Sequence, residues 1–166
     1  MLELRNLYIG YDDDSDRHIV AETLSASLSC GQLTCLIGAN GVGKSTLMRT
    51  MAAFQQPLRG EVCIGGRPLA DYTPKELSGL VGVVLTERNL QADLTVEEVV
   101  GMGRSPYTNF WGTLSDEDVR IVDEAIRLVG LAGLRHRKIY QVSDGERQKA
   151  MIAKALAQQT PVILLD

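Results

Sequence analysis

The feature that most constrains this chain is a glycine-rich segment, residues 38–46, with the sequence GANGVGKST. A short apolar run, residues 33–37, precedes it and suits a buried parallel strand. Residues 44–54 follow with helical spacing. The side chains predicted to face inward from that helix are Leu47, Met48, Met51 and Ala52. The order of strand, glycine loop and helix predicts an α/β domain.

The glycine-rich segment fits the pattern G-x-x-x-x-G-K-[ST], in the strand-to-helix context in which that pattern binds phosphate. Gly41 and Gly43 let the backbone turn so that successive N–H groups face the β-phosphate, and the helix N-terminus adds partial positive charge. Lys44 is predicted to reach the β- and γ-phosphates of ATP, and the Ser45 hydroxyl to coordinate Mg²⁺. The predicted ATP-binding residues of the loop are Gly38, Ala39, Asn40, Gly41, Val42, Gly43, Lys44, Ser45 and Thr46. This pattern alone is shared by kinases, GTPases and transport ATPases.

Five further segments have the patterns of strands. Residues 2–9 and 23–29 alternate apolar and polar side chains, as half-buried strands do. A short strand is predicted at 61–64, before a Gly-Gly turn. Residues 80–85 and 162–165 are mainly apolar and are predicted to be buried strands.

Three helices are predicted in the second half of the chain. Residues 95–101 begin with a capping box, Thr95 with Glu98. A second helix begins at Ser115 and ends before Gly130, and a third follows Gly145 and runs to about residue 158. Their buried faces are predicted to consist of Val119, Val122, Ile126 and Val129 on the second helix and Met151, Ile152, Ala155 and Leu156 on the third. Residues 103–112, between the first two helices, are predicted to form a loop.

Composition excludes several classes of protein. A net charge of −4 and a pI near 5.2 argue against a protein that coats duplex nucleic acid. No apolar run approaches the ~20 residues of a membrane span, and the N-terminus does not read as a secretory signal. Cys30, Cys35 and Cys63 form no CxxC pair and are predicted to be reduced core residues. These features together favour a cytoplasmic protein.

Three features together resemble the ABC family of ATPases. Residues 141–148, QVSDGERQ, are similar to the ABC signature motif, usually LSGGQ followed by RQ. Residues 162–166, VILLD, resemble the Walker B strand, and the glycine loop lies upstream of both. Alone, the sequence SDGE also fits an ordinary helix N-cap and turn. In this combination, the chain is identified as a member of the ABC family.

The resemblance implies roles for individual residues. Ser143 and Gly145 match the positions that bind the γ-phosphate held by the other subunit of a dimer, at a helix N-terminus suited to that task. Asp144 stands where the family usually has glycine, so its carboxylate must point away from the triphosphate. Glu146 is the next residue of the motif. Asp166 matches the Walker B aspartate, which holds Mg²⁺ through water.

Two further positions follow from the resemblance. Tyr11 matches the aromatic residue that stacks on adenine. At the end of the 80–85 strand the family usually has a glutamine that contacts Mg²⁺ and the attacking water, whereas this chain has Thr86 and Glu87. One of the two must substitute, or that contact is lost. The metal contacts expected in this chain are Ser45 and Asp166, and Thr86 is the candidate for a third.

The resemblance covers the whole chain but only about two-thirds of an ABC domain. It implies an α/β fold: a P-loop NTPase core with an N-terminal antiparallel β subdomain and an inserted helical subdomain, 87–141, truncated after the Walker B strand. The catalytic glutamate of the family follows the position of Asp166, so no catalytic residue is expected within the chain. A central strand that the family places between 33–37 and 162–165 is also missing. We therefore expect the 166-residue chain to be inactive and poorly stable by itself.

Residues 99–108, VVGMGRSPYT, look like the LGRxPxT segment of ABC importers for iron–siderophore, haem and cobalamin complexes. Leu114, Ser115 and Asp118 continue that pattern. The resemblance implies an ATP-binding homodimer on the inner face of the membrane. Its partners would be a multi-span permease and, indirectly, a periplasmic or surface substrate-binding protein, with no nucleic acid. One alternative is a soluble, non-transport ABC ATPase, although these usually have tandem cassettes or long coiled-coil inserts. The other is a P-loop kinase, which would need a lid and has no use for a signature helix.

Overall fold

An antiparallel sheet forms the first part of the fold. The structure is a computed structural model that describes residues 1–13, 16–84, 93–109 and 111–166. Four strands pair in the order β2-β1-β3-β4, and all pairs are antiparallel. They are β1, Leu2–Asp13; β2, Asp16–Leu28; β3, Arg59–Ile64; and β4, Arg67–Pro68. The alternation predicted for residues 2–9 is confirmed at its start, since Leu2 and Leu4 are buried while Glu3 and Arg5 are more exposed. No residue of the predicted 23–29 strand is buried, and β2 begins earlier, at Asp16.

The register of this sheet stacks apolar side chains on one face. Leu2 lies opposite Leu28 on one side and Ile64 on the other. The first part of the fold also contains α1 (Lys44–Met51) and α2 (Pro74–Ser78). A 3₁₀ turn, Leu69–Asp71, precedes α2. The predicted 44–54 helix is therefore confirmed but shorter.

The second part of the fold is mainly helical. Its helices are α3, Val96–Gly101; α4, Asp116–Leu128; and α5, Asp144–Ala157. Two parallel strands, β5 (Val81–Val84) and β6 (Val162–Leu165), pair from Val81 with Val162 to Val84 with Leu165. Three 3₁₀ turns connect these elements: Met102–Tyr107, Ala132–Leu134 and Ile139–Gln141. The predicted capping box of Thr95 and Glu98 is present at the start of α3.

The core of this second part lies between α3, α4 and α5. Its fully buried members include Val99 on α3, Ile126 on α4 and Ala153 on α5. The buried side chains of α5 are all alanines: Ala150, Ala153, Ala155 and Ala157. Of the predicted face, Ala155 is buried, and Met151 and Leu156 are partly buried and pack against this core. Ile152 is only partly buried, and Ala150, Ala153 and Ala157 were not predicted. Small side chains let a helix backbone approach its neighbours closely, and apolarity alone does not reveal that.

Residues 33–37 are not a strand, which corrects the prediction. Leu33 is 89% exposed and Ile37 is 91% exposed. A strand requires a neighbour for its backbone N–H and C=O groups, and none of the strand pairings among the described residues involves this segment. Apolar composition identified a segment able to form a strand but could not supply the pairing partner.

Five smaller expectations were also wrong. Much of the predicted 103–112 loop is the 3₁₀ turn Met102–Tyr107. Val119 is 44% exposed, and the buried stripe of α4 instead contains Asp118 and Ala125 beside Val122 and Ile126. On β6 only Leu164 is buried. Gly145 lies within the first turn of α5, and Cys30 and Cys35 are exposed whereas Cys63 is buried.

The chain divides into two compact units. One consists of residues 1–80 together with Asp166, and the other of residues 81–165. Among the described residues, no helix combines the length and the apolarity that crossing a bilayer requires.

Candidate nucleotide-binding site

The glycine loop leads directly into α1. Gly41 and Gly43 have φ angles of 81° and 100°, which side chains other than glycine rarely adopt. Gly43 is the N-cap of α1, and a Cβ atom there would lie 2.3 Å from Cγ1 of Val20. Glycine is therefore required at position 43 by both backbone conformation and space. The loop presents the uncapped N–H groups of α1, which suits an anion.

Lys44 folds back over its own loop. Its ammonium donates hydrogen bonds of 2.8 Å to the carbonyl oxygens of Gly38 and Ala39. Both acceptors are neutral, so the positive charge is not compensated by a carboxylate at this point. A phosphate group would be a stronger, charge-assisted acceptor for the same ammonium.

Ser45 and Asp166 come together although 121 positions separate them. The Ser45 hydroxyl donates to Oδ1 of Asp166 at 3.0 Å, and both residues are exposed. A hydroxyl and a carboxylate are oxygen ligands of the kind that Mg²⁺ prefers, usually alongside water and substrate phosphates. No cluster of three or more His, Cys, Asp or Glu side chains able to hold a metal occurs within the described ranges. The pair therefore fits a magnesium site that a nucleotide would complete.

Tyr11 is joined to the same helix. Its hydroxyl lies 3.1 Å from Oγ1 of Thr46, in the first turn of α1, and Thr46 is 7% exposed. The ring of Tyr11 is partly exposed, beside an open depression of about 360 Å³ whose wall includes Asp12 and Pro57. The structure thus places an exposed aromatic ring at the phosphate loop. Its stacking on adenine stays a prediction.

The signature segment lies in the second unit and forms the start of α5. Ser143 is the N-cap, and its hydroxyl accepts a hydrogen bond from the backbone N–H of Glu146. Glu146 in turn accepts bonds from the backbone N–H and hydroxyl of Ser143, both at 2.8 Å. These two bonds hold the pKa of the Glu146 carboxyl below its usual value. A Cβ on Gly145 would meet no atom within 4 Å, so the backbone at the helix N-terminus is accessible.

Asp144 does not obstruct this helix terminus. Its carboxylate pairs with Arg147 one turn along α5 at 2.8 Å, and its side chain is 95% exposed. An exposed, already paired carboxylate repels an approaching anion much less than an isolated buried one does. Aspartate at position 144, where the family usually has glycine, is therefore compatible with anion binding at the N-terminus of α5.

The expected magnesium contact at Thr86, and its neighbour Glu87, lie outside the described residues.

A cluster around Arg104 was missed by the sequence reasoning. Arg104 is 6% exposed, and its Nε donates to Oδ1 of Asp118 at 2.7 Å. Both residues belong to the importer-like pattern, but they were not paired with each other. Arg104 is the only charged residue in the sequence between Glu98 and Asp116, and this isolated cation was the available signal.

Comparisons with known proteins show the family of this chain. The profile of the ABC transporter family matches residues 21–166. An uncharacterised ABC transporter ATP-binding protein of Methanocaldococcus jannaschii is 41% identical over 166 residues, which cover 100% of this chain and 56% of that protein. An iron(3+)-hydroxamate import ATP-binding protein of Bacillus subtilis is 36% identical over 165 residues, which cover 99% of this chain and 60% of that protein. The chain thus spans somewhat more than half the length of these relatives.

Solved structures show the same fold. A dimeric ATP-binding cassette in a post-hydrolysis state, bound to ADP and phosphate, superimposes with a TM-score of 0.83 at 26% identity. The match covers 100% of this chain and 73% of that one. The predicted α/β class, with an antiparallel N-terminal sheet and helices, is confirmed. From its glycine loop, signature segment and family profile, this chain belongs to the ABC transporter family of ATP-binding domains.

Proposed function

We propose that this chain is the ATP-binding part of an ABC importer subunit whose full-length form is an ATPase. The observation that carries the proposal is the geometry of the glycine loop. Gly41 and Gly43 take left-handed conformations at the N-terminus of α1, Lys44 lies over the loop, and Ser45 lies 3.0 Å from Asp166. Each of these features serves one part of a magnesium triphosphate.

Different residues of the site bind different parts of magnesium-ATP. Lys44 exchanges its two carbonyl acceptors for β- and γ-phosphate oxygens, which are charged and bind it more strongly. Backbone N–H groups of residues 38–46 and the N-terminus of α1 face the same phosphates. Tyr11 stacks on adenine while Thr46 holds its hydroxyl. Ser45 and Asp166, with Thr86 as a third contact, hold Mg²⁺, which neutralises charge on the β- and γ-phosphates.

The functional unit is a homodimer with two nucleotides between facing subunits. Each nucleotide is held by the glycine loop of one subunit and by Ser143 and Gly145 of the other. Support comes from the accessible N-terminus of α5 and from the dimeric state of the solved ADP-bound relative. The helical subdomain, 87–141, contacts a multi-span permease, so that closure of the dimer moves the permease.

The transported substrate is an iron–siderophore, haem or cobalamin-like chelate delivered by a periplasmic or surface binding protein. The importer-like segment, residues 99–108, and the iron-hydroxamate import relative support this class. The protein is peripheral on the cytoplasmic face of the membrane, and its charge of −4 suits no nucleic-acid role. Co-purification of the full-length protein with a multi-span permease separates this function from that of a soluble, non-transport ABC ATPase.

The test is a titration of full-length protein with magnesium-ATP. Lys44→Ala removes the ammonium that faces the phosphates, and we expect the affinity to fall by roughly 10- to 100-fold. Lys75→Ala, an exposed lysine on α2 of the same unit, is the matched control and should leave the affinity unchanged. Undiminished affinity in Lys44→Ala would show that the loop is not the nucleotide site.

A further inference from the structure

The turn Met102–Tyr107, hereafter the Arg104 turn, is bound to the C-terminal end of α5. Nη1 of Arg104 donates to the carbonyl oxygen of Ala157 at 2.9 Å and to Oε1 of Gln159 at 3.1 Å. The hydroxyl of Tyr107 donates to the carbonyl oxygen of Gln158 at 2.9 Å. The last carbonyls of a helix have no partner within the helix, and they carry its partial negative charge. Arg104 and Tyr107 therefore form a side-chain cap on α5.

Arg104 is itself fixed from three directions. Oδ1 of Asp118 accepts a hydrogen bond of 2.7 Å from Nε of Arg104. Oδ2 of Asp118 accepts hydrogen bonds from the backbone N–H and the hydroxyl of Ser115, at the start of α4. The Tyr107 ring lies against the guanidinium, 4.1 Å from its centre. The cation is thus held between α4, α5 and its own turn.

Space as well as charge brings the Arg104 turn against α5. A Cβ atom on Gly103 would lie 2.2 Å from the carbonyl oxygen of Lys154, so only glycine permits this approach. At the opposite end of α5 stand Ser143 and Gly145. A helix of 14 residues is a rod about 20 Å long, and a shift imposed at one end is transmitted to the other.

We propose that Arg104 is a positioning residue: by capping the C-terminal end of α5, it holds Ser143 and Gly145 in register for the phosphate of the facing subunit. The inference rests on the proposed function, because it assumes that the start of α5 acts on ATP. It assigns to the importer-like segment a task inside the protein. The Arg104 turn, which belongs to the importer-like segment, thus also fixes the position of α5.

The experiment measures ATP turnover by the full-length protein with its permease, together with ATP affinity and thermal melting. Arg104→Lys keeps a charge beside Asp118 but cannot make all the bonds of the planar fork. Tyr107→Phe keeps the ring and removes only the bond to Gln158. We expect kcat to fall by up to roughly 100-fold in Arg104→Lys, the effect of a misplacement of about 1 Å, and by less in Tyr107→Phe. The KM for ATP should change less than twofold in both, since the glycine loop is untouched.

Arg127→Lys is the matched control, because Arg127 pairs with Asp123 in an exposed ion pair on α4. It should leave kcat and melting unchanged. A merely structural role for Arg104 would lower the melting temperature while kcat at a low temperature stayed normal, and that result overturns the inference. If Arg104→Lys and Tyr107→Phe both have the kcat and the melting temperature of the wild type, the inference is also overturned. Failure of the wild-type protein to bind or hydrolyse ATP would instead refute the proposed function.

Discussion

At the scale of single residues, Gly43 shows how tightly the phosphate loop is specified. Its φ of 100° costs an L side chain roughly 1–2 kcal/mol, and a Cβ there would also overlap Val20. We expect Gly43→Ala to displace the loop and to lower ATP affinity in a calorimetric titration. Gly133→Ala is the control, since its Cβ would meet nothing within 4 Å. Equal affinity for both variants would mean that the loop tolerates the distortion.

Asp118 gives the protein a titration that can be measured. Hydrogen bonds from Ser115, and then from Arg104, lower the pKa of the Asp118 carboxyl from 3.8 to about 2. A lowered pKa stabilises the fold above the unfolded value of 3.8, and this contribution is lost as the pH falls toward 2. The melting temperature of wild type should therefore exceed that of Asp118→Asn above pH 5, and the gap should narrow between pH 4 and pH 2.

Circular dichroism melts at half-unit pH steps provide the measurement for Asp118. Asp116→Asn removes an exposed carboxylate from the same turn and controls for the change in net charge. A gap between wild type and Asp118→Asn that stayed constant down to pH 2 would show that the carboxylate does not titrate in this window.

At the scale of elements, α5 owes its position to small side chains. Ala153 is fully buried in the core that α3, α4 and α5 share, and close-packed interiors resist added methyl groups. Ala153→Leu should lower the free energy of unfolding by about 1–3 kcal/mol. The exposed Ala132→Leu should change it by no more than about 0.5 kcal/mol. Denaturant titration of both variants is the measurement, and equal stability would contradict close packing at position 153.

The start of α3 was predictable from sequence because a capping box is a local structure. Thr95 with Glu98 was predicted from four consecutive residues and is present. The buried faces were less predictable. Val119 and Asp118 are adjacent in sequence, yet the valine is exposed and the aspartate is buried. Asp118 can be buried because it pairs with Arg104, 14 residues away. A hydrophobicity pattern contains no information about such a pairing.

At the scale of the whole molecule, the homodimer can be tested by mixing two inactive variants. Lys44→Ala disables the glycine loop and Ser143→Arg disables the signature segment. In the proposed dimer each site combines the loop of one subunit with the signature segment of the other, so both defects of a mixed dimer would fall in one site. Activity should therefore return after mixing, up to about a quarter of the wild-type sites. Lys44→Ala mixed with Lys44→Ala is the control, and no recovery in the mixture would exclude shared sites.

The sequence by itself determined the glycine loop, the helix caps and the likeness to ABC proteins, because each depends on residues within a few positions of one another. Tertiary structure decided the rest. Arg104 meets Asp118 and Ala157, and the buried side chains of α5 are alanines rather than larger residues. Residues 33–37 have strand-like composition but no strand partner among the described residues. A backbone hydrogen bond needs two segments, so the composition of one segment could not predict whether it would form.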